Sequence, residues 1–473
     1  MRDCIYGIDR KVPLLDGSLV RYVNLDNAAS TPPLIRVVEG INSLAPYYSS
    51  VHRGTGFKSR LCTGAYERAH EIIAEFVGAD FDTNTVIFVK NATEAINKLA
   101  HRLKAPRNHI VITTTMEHHS NDLPWRYNFE TVHVQTTAEG RLDEDHFDSL
   151  LEKYSGRIAL VAVTGASNVT GYIQPIHHLA EKVHRVGARI LIDAAQLAPH
   201  RKIDMRPDND PGHLDFIAIA GHKMYAPYGT GALIGPKSGF MDGPPDYCGG
   251  GTVRIVTPDE VYWADMPERD EAGSPNVIGA IAMAIAAETL MEKGMDSIAE
   301  HERDLTAYTL DKLRATDGLT VYGEKDPSRA SEKVGVIPFN ISGTDHSLAA
   351  SIIGYEGGIG VRNGCFCAHP YVVDLLKLNE SETARWRVQF LGGDKSEMPG
   401  MIRMSFGCYS NREDVDRLFE VIEMIQKKEY RGKYFQVPET GEYLPENYKD
   451  DFTGFWKYPD STEHKAGNPK IDV

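Results

Sequence analysis

Between residues 58 and 294 the chain alternates two hydrophobic periods. Leu61, Ala65, Ala69, Ile72, Ile73 and Phe76 recur at the spacing of one helix face, and Gly78 follows as a stop signal. TVIFV (85–89) is then a short apolar run of strand length, and ATEAINKLAHRL (92–103) returns to the helical period. The change repeats downstream. HIVITT (109–114), TVHVQ (131–135), RIALVAVTGAS (157–167), ARILIDAA (188–195), DFIAIA (215–220) and GALIG (231–235) are β-branched runs, with helical stretches such as HHLAEKVHRVG (177–187) between several of them. Apolar strands alternating with helices predict an α/β fold with a largely parallel sheet covered on both faces. The long apolar helix VIGAIAMAIAAETLMEKG (277–294) closes this unit.

A second, smaller α/β set occupies residues from about 300 to 430, with strands at GVIPFNI (335–341) and IRMSFGC (402–408) and a last helix at REDVDRLFEVIEMIQKK (412–428). Two segments break the pattern. Residues 371–400 hold a polar, Gly-bearing piece, and the chain from Tyr430 onward is rich in Tyr, Pro, Gly and charge with no period. The latter predicts an irregular arm on a surface. The expected divisions are an N-terminal arm (1–20), a large domain (21–295) whose segment 21–57 contributes to the active site, a small domain (296–429) and an irregular extension (430–473).

Composition narrows the function classes. A net charge of −15 argues against a nucleic-acid surface. No apolar run approaches the ~20 residues of a membrane-spanning helix. The start, MRDCIYGIDRKVPLL, lacks the apolar core of a secretory signal, so a soluble cytoplasmic enzyme is expected. Six irregularly spaced cysteines in 473 residues do not form a disulfide framework.

The chemistry concentrates at strand ends. Lys223 directly follows an apolar strand in DFIAIAGHKMYAPYGTGALIG (215–235). A lysine buried there loses its proton through desolvation and becomes an amine nucleophile toward an aldehyde. Asp193 ends the strand in ILIDAAQLAPH (190–200); alone it would read as a helix cap. Together the two meet the needs of pyridoxal phosphate: an amine for the aldehyde, and a carboxylate that keeps the pyridine nitrogen protonated. VKNATEAINKL (89–99) offers a strand followed by a helix N-terminus with Thr93, a natural phosphate cradle. In TTTMEHHSNDLPW (113–125), His118 is placed to stack on a flat ring and shuttle protons. The adjacent histidines have no third ligand at metal-site spacing, and no metal is expected.

GIGVRNGCFCAHP (358–370) carries two cysteines one residue apart. That spacing is too short for a zinc pair, and a disulfide across one residue would be strained. Packing and nucleophilic chemistry remain open for both thiols.

Taken together the chain resembles the class V aminotransferase family of fold-type I enzymes, specifically its cysteine desulfurases and selenocysteine lyases. The matching motifs are NLDNAASTPP (24–33), VHRGTG (51–56), NATEAIN (91–97), EHHSNDLPW (117–125), SNVTG (167–171) and LIDAAQ (191–196). They continue with GHKMYAPYGTG (221–231), GGGT (249–252), RDEAGSPN (269–276), VRNGCFCA (361–368) and IRMSFGCYSN (402–411). They run in the family's order, which makes the set far more specific than any single motif. The resemblance implies that Lys223 bonds the cofactor's aldehyde, Asp193 pairs with the pyridine nitrogen, Gln196 bonds the ring hydroxyl and His118 stacks on the ring. Thr93 and His222 would hold the phosphate, and Thr252 would reach it from the other subunit of a homodimer. Asn168 would lie near the ring hydroxyl and substrate, Arg403 would pair with the substrate carboxylate, and Arg362 would add positive charge at the substrate side. Cys367, five residues after Arg362, aligns with the catalytic cysteine, and Cys365 is left as packing or a helper.

The implied reaction turns L-cysteine into L-alanine and leaves sulfur on Cys367 as a persulfide for a sulfur-acceptor protein. A selenocysteine lyase, a C–S β-lyase, an epimerase-like relative or a degenerate scaffold are the alternatives. The chain departs from the family at Ala220, where a Ser or Thr usually contacts the phosphate, at Asp270, where an aromatic residue is usual, in the longer 371–400 segment and in the C-terminal arm.

Overall fold

A computed structural model describes residues 1–456; the remainder of the expected C-terminal extension, 457–473, lies outside the described residues. Helix α1 (Phe57–Phe76) buries Tyr66, Ala69, Ile73 and Phe76 on one face. It is followed by β1 (Asn84–Val89), α2 (Ala92–Arg102), β2 (Ile110–Thr114), β3 (Glu130–Val134) and β4 (Ile158–Thr164). Next come α3 (Ile176–Arg185), β5 (Ile190–Asp193), β6 (Phe216–Ala220) and β7 (Gly231–Pro236). Seven strands form one sheet in the order β1-β7-β6-β5-β4-β2-β3. Only β7 runs antiparallel to its neighbours, so the carboxyl ends of the other six share one edge. Every residue of β1, β2, β4, β5 and β6 is buried, the signature of strands covered on both faces.

The second unit begins on a rod shared with the first. After α4 (Val277–Lys293), Gly294 takes a left-handed φ of 84° and the chain turns into α5 (Met295–Ala315). Met295 and Ile298 pack in the large core, whereas Leu305, Leu310 and Leu313 pack in the small one. The small unit then adds β8 (Leu319–Val321), β9 (Val336–Ile341), α6 (His346–Gly357), β10 (Arg362–Gly364), α7 (Glu380–Leu391), β11 (Met401–Ser405) and α8 (Arg412–Gln426). Its antiparallel sheet is ordered β8-β9-β11-β10.

Three local departures from the sequence pattern stand out. Val23 and Leu25, near the start of the expected large domain, pack in the small core, where Val23–Asn24 pairs in parallel with Ile359–Gly360. The polar 371–400 segment contains the regular helix α7, opened by a reciprocal cap between Asn379 and Glu382 and burying none of its residues. The C-terminal arm forms a small hairpin, Tyr434–Gln436 with Tyr443–Pro445, held on α6 by Tyr434 Oη donating to Glu356 (2.9 Å) and Ser351 Oγ donating to Tyr443 O (2.7 Å). No helix among the described residues is long and apolar enough to cross a membrane.

Candidate active site

The carboxyl edge of the large sheet and the small unit enclose a cleft of about 310 Å³. Of the residues given a cofactor, substrate or catalytic role from the sequence, all but Thr252 border it, and Cys365 stands back from it. Thr252 is fully buried elsewhere in the chain, its hydroxyl donating to Gly249 O (2.8 Å).

Lys223 leaves the end of β6 on a short turn and is half-buried, lining the cleft. Burial pulls its amine down to about 8; Asp193 opposes the shift, and Arg403 adds to it. Asp193 ends β5 and accepts the Ala195 N–H (3.0 Å). Burial pushes this carboxyl up, and the backbone contact and Lys223 work against that. The two groups thus lie at adjacent strand ends within electrostatic reach, the carboxylate buried and the amine half-buried. Gln196 Nε2 donates to Ala28 O (2.6 Å), tying the N-terminal segment over the same edge.

Asn91 caps α2 by accepting the Glu94 N–H (2.9 Å), which leaves the free amides of Ala92 and Thr93 at the cleft. Thr93 Oγ1 meets Ser120 Oγ at 2.7 Å. Ser120 also lies 2.9 Å from His118 Nδ1, and its amide donates to that nitrogen (3.1 Å). The Nδ1 of His118 is therefore an acceptor, and the neutral ring carries its hydrogen on Nε2. Burial and Lys223 lower His118 to about 3, so the ring is neutral at physiological pH. Burial and Lys223 likewise bring His222 to about 4.

Arg403 enters from β11. Its Nη1 donates to Asn168 O (2.9 Å), its Nη2 pairs with Asp26 (3.0 Å), and its guanidinium lies over the Phe366 ring at 4.9 Å. Among the described residues its buried Nε has no partner. Arg362 is exposed and pairs with the other oxygen of Asp26 at 2.8 Å.

The two neighbouring cysteines differ in environment. Cys365 is 4 % exposed, donates to Pro399 O (3.1 Å), and is pushed by burial up to about 12. Cys367 is exposed and borders the cleft. Phe366 and Cys367 both take left-handed φ angles, 52° and 55°, which cost of order 1–2 kcal/mol each for residues with a Cβ. The surroundings hold that turn: Asn168 Nδ2 donates to Phe366 O (2.7 Å), and His119 N–H donates to Cys367 O (2.8 Å). His119 itself stacks on His369.

Sequence reasoning did not single out Asp26, Ser120 or Glu117. Asp26 and Ser120 lie inside quoted motifs but act through partners distant in the chain. Glu117 is buried between Thr114 (2.7 Å), the Thr164 N–H (3.0 Å) and Asn121 (2.7 Å). Burial lifts it to about 8, so it is mostly uncharged at neutral pH and does not compete with Asp193 for positive charge.

A seven-stranded, mostly parallel sheet with this lysine and aspartate at its carboxyl edge, joined to a smaller α/β unit, is the architecture of the fold-type I transferases. Residues 23–418 match the family model for aminotransferase class-V, and the chain belongs to that family. Curated relatives include a probable cysteine desulfurase of Halalkalibacterium halodurans, 33% identical over 91% of this chain and 99% of its own. A cysteine desulfurase of Haloferax volcanii is 32% identical over 87% of this chain and 91% of its own. Among solved structures, a cysteine desulfurase from Thermococcus onnurineus superposes with a TM-score of 0.73 at 30% identity, covering 86% of this chain and 95% of that one. One from Escherichia coli gives 0.72 at 26% identity, covering 91% and 98%.

Proposed function

We propose that this chain is a pyridoxal phosphate-dependent cysteine desulfurase that converts L-cysteine to L-alanine and leaves the sulfur on Cys367. The observation that carries the reading is one cleft lined by Lys223, the buried Asp193, the exposed Cys367 and the buried Arg403.

The residues fit the cofactor. A carboxylate whose pKa is raised by burial suits a pyridinium nitrogen that would pair with it, and an amine lowered to about 8 suits an aldehyde. The amides opening α2, with Thr93, Ser120 and His222, suit a phosphate. His118 and Gln196 would contact the ring, and Asn168 its hydroxyl side. When bound, pyridoxal phosphate supplies an electron sink that loosens the bonds at the substrate's α-carbon and lets the β-sulfur depart.

The chain's own groups supply the rest. Arg403 binds the substrate carboxylate in fork geometry, drawing on its unpartnered Nε and exchanging the Asp26 contact. Arg362, on the other Asp26 oxygen, adds charge at the mouth. Lys223 moves the α-proton on Nζ, and the Cys367 thiolate takes the sulfur. With Nδ1 engaged by Ser120, His118 acts through Nε2, where it donates a hydrogen bond toward the sulfur side.

A homodimer belongs to the same reading. The hairpin after Thr252 exposes Ile255, Val256, Val261 and Tyr262, apolar surface suited to a second copy, whose cleft Thr252 would reach on giving up its contact with Gly249. All six cysteines are free, in keeping with a reducing, cytoplasmic compartment.

The test is product analysis with L-cysteine. With excess dithiothreitol present to reduce the Cys367 persulfide, the reading expects alanine and sulfide in equal amounts, and a visible cofactor band that disappears in Lys223→Ala. Pyruvate in place of alanine would assign a β-lyase instead, and a protein that takes up no pyridoxal phosphate would end the enzyme reading.

A further inference from the structure

Behind Cys367 lies a contact between two histidines that no step of the reaction uses. His119 sits between His118 and Ser120, which both border the cleft, while its own ring meets the small unit. Nδ1 of His369 lies 2.9 Å from Nε2 of His119, in rings 10° from parallel with centroids 4.8 Å apart. At that distance one ring nitrogen donates its hydrogen to the other. Burial holds both rings below the ordinary histidine value, so the pair is neutral at physiological pH and a single N–H···N bond joins it.

The contact matters for what it brackets. His119 grips the Cys367 turn twice, by its amide on Cys367 O (2.8 Å) and by its ring on His369, two residues further on. Asn168 adds a third point, its Nδ2 donating to Phe366 O (2.7 Å). The gripping residues belong to the large unit and the gripped ones to the small unit, so the contacts fix the thiol across the cleft. Phe366 and Cys367 both hold left-handed φ angles, and strained residues persist only where their surroundings over-determine them.

His369 is braced in turn. Trp386 of α7 lies beside it, with ring centroids 6.4 Å apart and planes 20° from parallel. The loop leaving α7 is pinned by the C-terminal hairpin: Lys395 N–H donates to Pro438 O (2.7 Å), and Gln436 Nε2 donates to Ser396 O (2.9 Å). Segment 371–400 and the C-terminal arm, both departures from the family, thus form one brace behind the cysteine.

We propose that His119 and His369 are positioning residues for sulfur transfer, locking Cys367 of the small unit against the cleft of the large one, with Trp386 as their brace. The proposal rests on the desulfurase reading. Neither ring borders the cleft, so both act through the cysteine turn.

The test reads the lock in the holoenzyme both without turnover and with it. The His119 amide should exchange with deuterium about tenfold faster in His369→Ala than in wild type, the worth of one lost side-chain hydrogen bond. With stoichiometric L-cysteine and an acid quench, intact-mass analysis should show Cys367 persulfide forming about tenfold more slowly in His119→Ala and in His369→Ala. The double variant should be no slower than either single one, because the two rings share one contact. His119→Gln and His369→Asn keep a polar atom near Nε2 and Nδ1 respectively, and each should recover most of the rate. Trp386→Ala should lose part of it, and Trp386→Phe should regain it. L-Alanine affinity, titrated through the cofactor band, should stay at the wild-type value throughout, which a general loss of structure would not allow. If His119→Ala fails to fold, His369→Ala and His369→Asn decide by the same readouts. Wild-type persulfide rates in both alanine variants, additive losses in the double variant, or no recovery with Gln and Asn would each overturn the proposal. Unchanged amide exchange in His369→Ala would refute the lock itself. Faster exchange there, with no persulfide in wild type, would instead end the desulfurase reading and with it the role in sulfur transfer.

Discussion

Replacing Cys367 with serine leaves Cys365 two positions away, and the structure sets how far that neighbour can substitute. Burial lifts Cys365 to about 12 from an ordinary 9.0. At pH 8 a thiol at 12 is ionised in about one molecule in 10,000, against about one in ten for an unperturbed thiol. Its greater basicity returns part of the loss: over three pKa units, a Brønsted slope of 0.4–0.5 raises nucleophilicity about 20-fold. The balance is roughly 50-fold against Cys365, before counting the contact to Pro399 that its sulfur must break. Alanine formation from saturating L-cysteine at pH 8 should therefore fall at least about 50-fold in Cys367→Ser and stay near wild type in Cys365→Ser. Intact-mass analysis should find the persulfide only when Cys367 is present. Iodoacetamide labelling of Cys365, followed by peptide mass spectrometry, should accelerate about tenfold per pH unit up to pH 11. Turnover in Cys367→Ser above about a tenth of wild type, or fast labelling of Cys365 at pH 8, would refute the argument that burial disarms this thiol.

Two further expectations follow from the cleft. With Lys223 near 8 and protonated below that value, reconstitution of the apoprotein with pyridoxal phosphate should speed up about tenfold per pH unit below 8 and level off above it, as followed by absorbance; a pH-independent rate would contradict the shift. Ser120→Ala should weaken pyridoxal phosphate binding roughly tenfold by equilibrium titration, the worth of one hydrogen bond to a charged group. Ala220→Ser should recover part of that loss in the double variant, and unchanged affinity in Ser120→Ala would exclude Ser120 from the phosphate cradle.

The large sheet was legible because its strands are covered on both faces, so each reads as a continuous apolar run bounded by helices. Helix α7 was invisible to the same reading because none of its twelve residues is buried. Its signal was local instead: Asn379 followed by Glu382, a capping pair that carries no hydrophobic period. The Val23–Asn24 strand is too short to show alternation, and its placement in the small core depends on a partner more than 300 residues away. At the site, Lys223 and Asp193 were readable from their positions at strand ends. Asp26, Ser120 and Glu117 were not, because their significance lies in contacts formed only on folding: a carboxylate shared by two arginines, a hydroxyl bridging a helix to a histidine, an acid neutralised by burial. The difference between Cys365 and Cys367 likewise comes from burial, since the two share nearly the same sequence context.

Cys367 borders both the cleft and bulk solvent, on a turn whose two strained residues are tied down by Asn168 and His119. In the proposed reaction this makes the thiol a turnstile more than a lid. An atom received on the inner side already faces outward, so delivery requires no unloading of the cleft and no opening of the small unit. Recognition of the recipient then rests with the protein rim around one protruding side chain. Two relatives with the same interior could thus serve different recipients by changing only that rim.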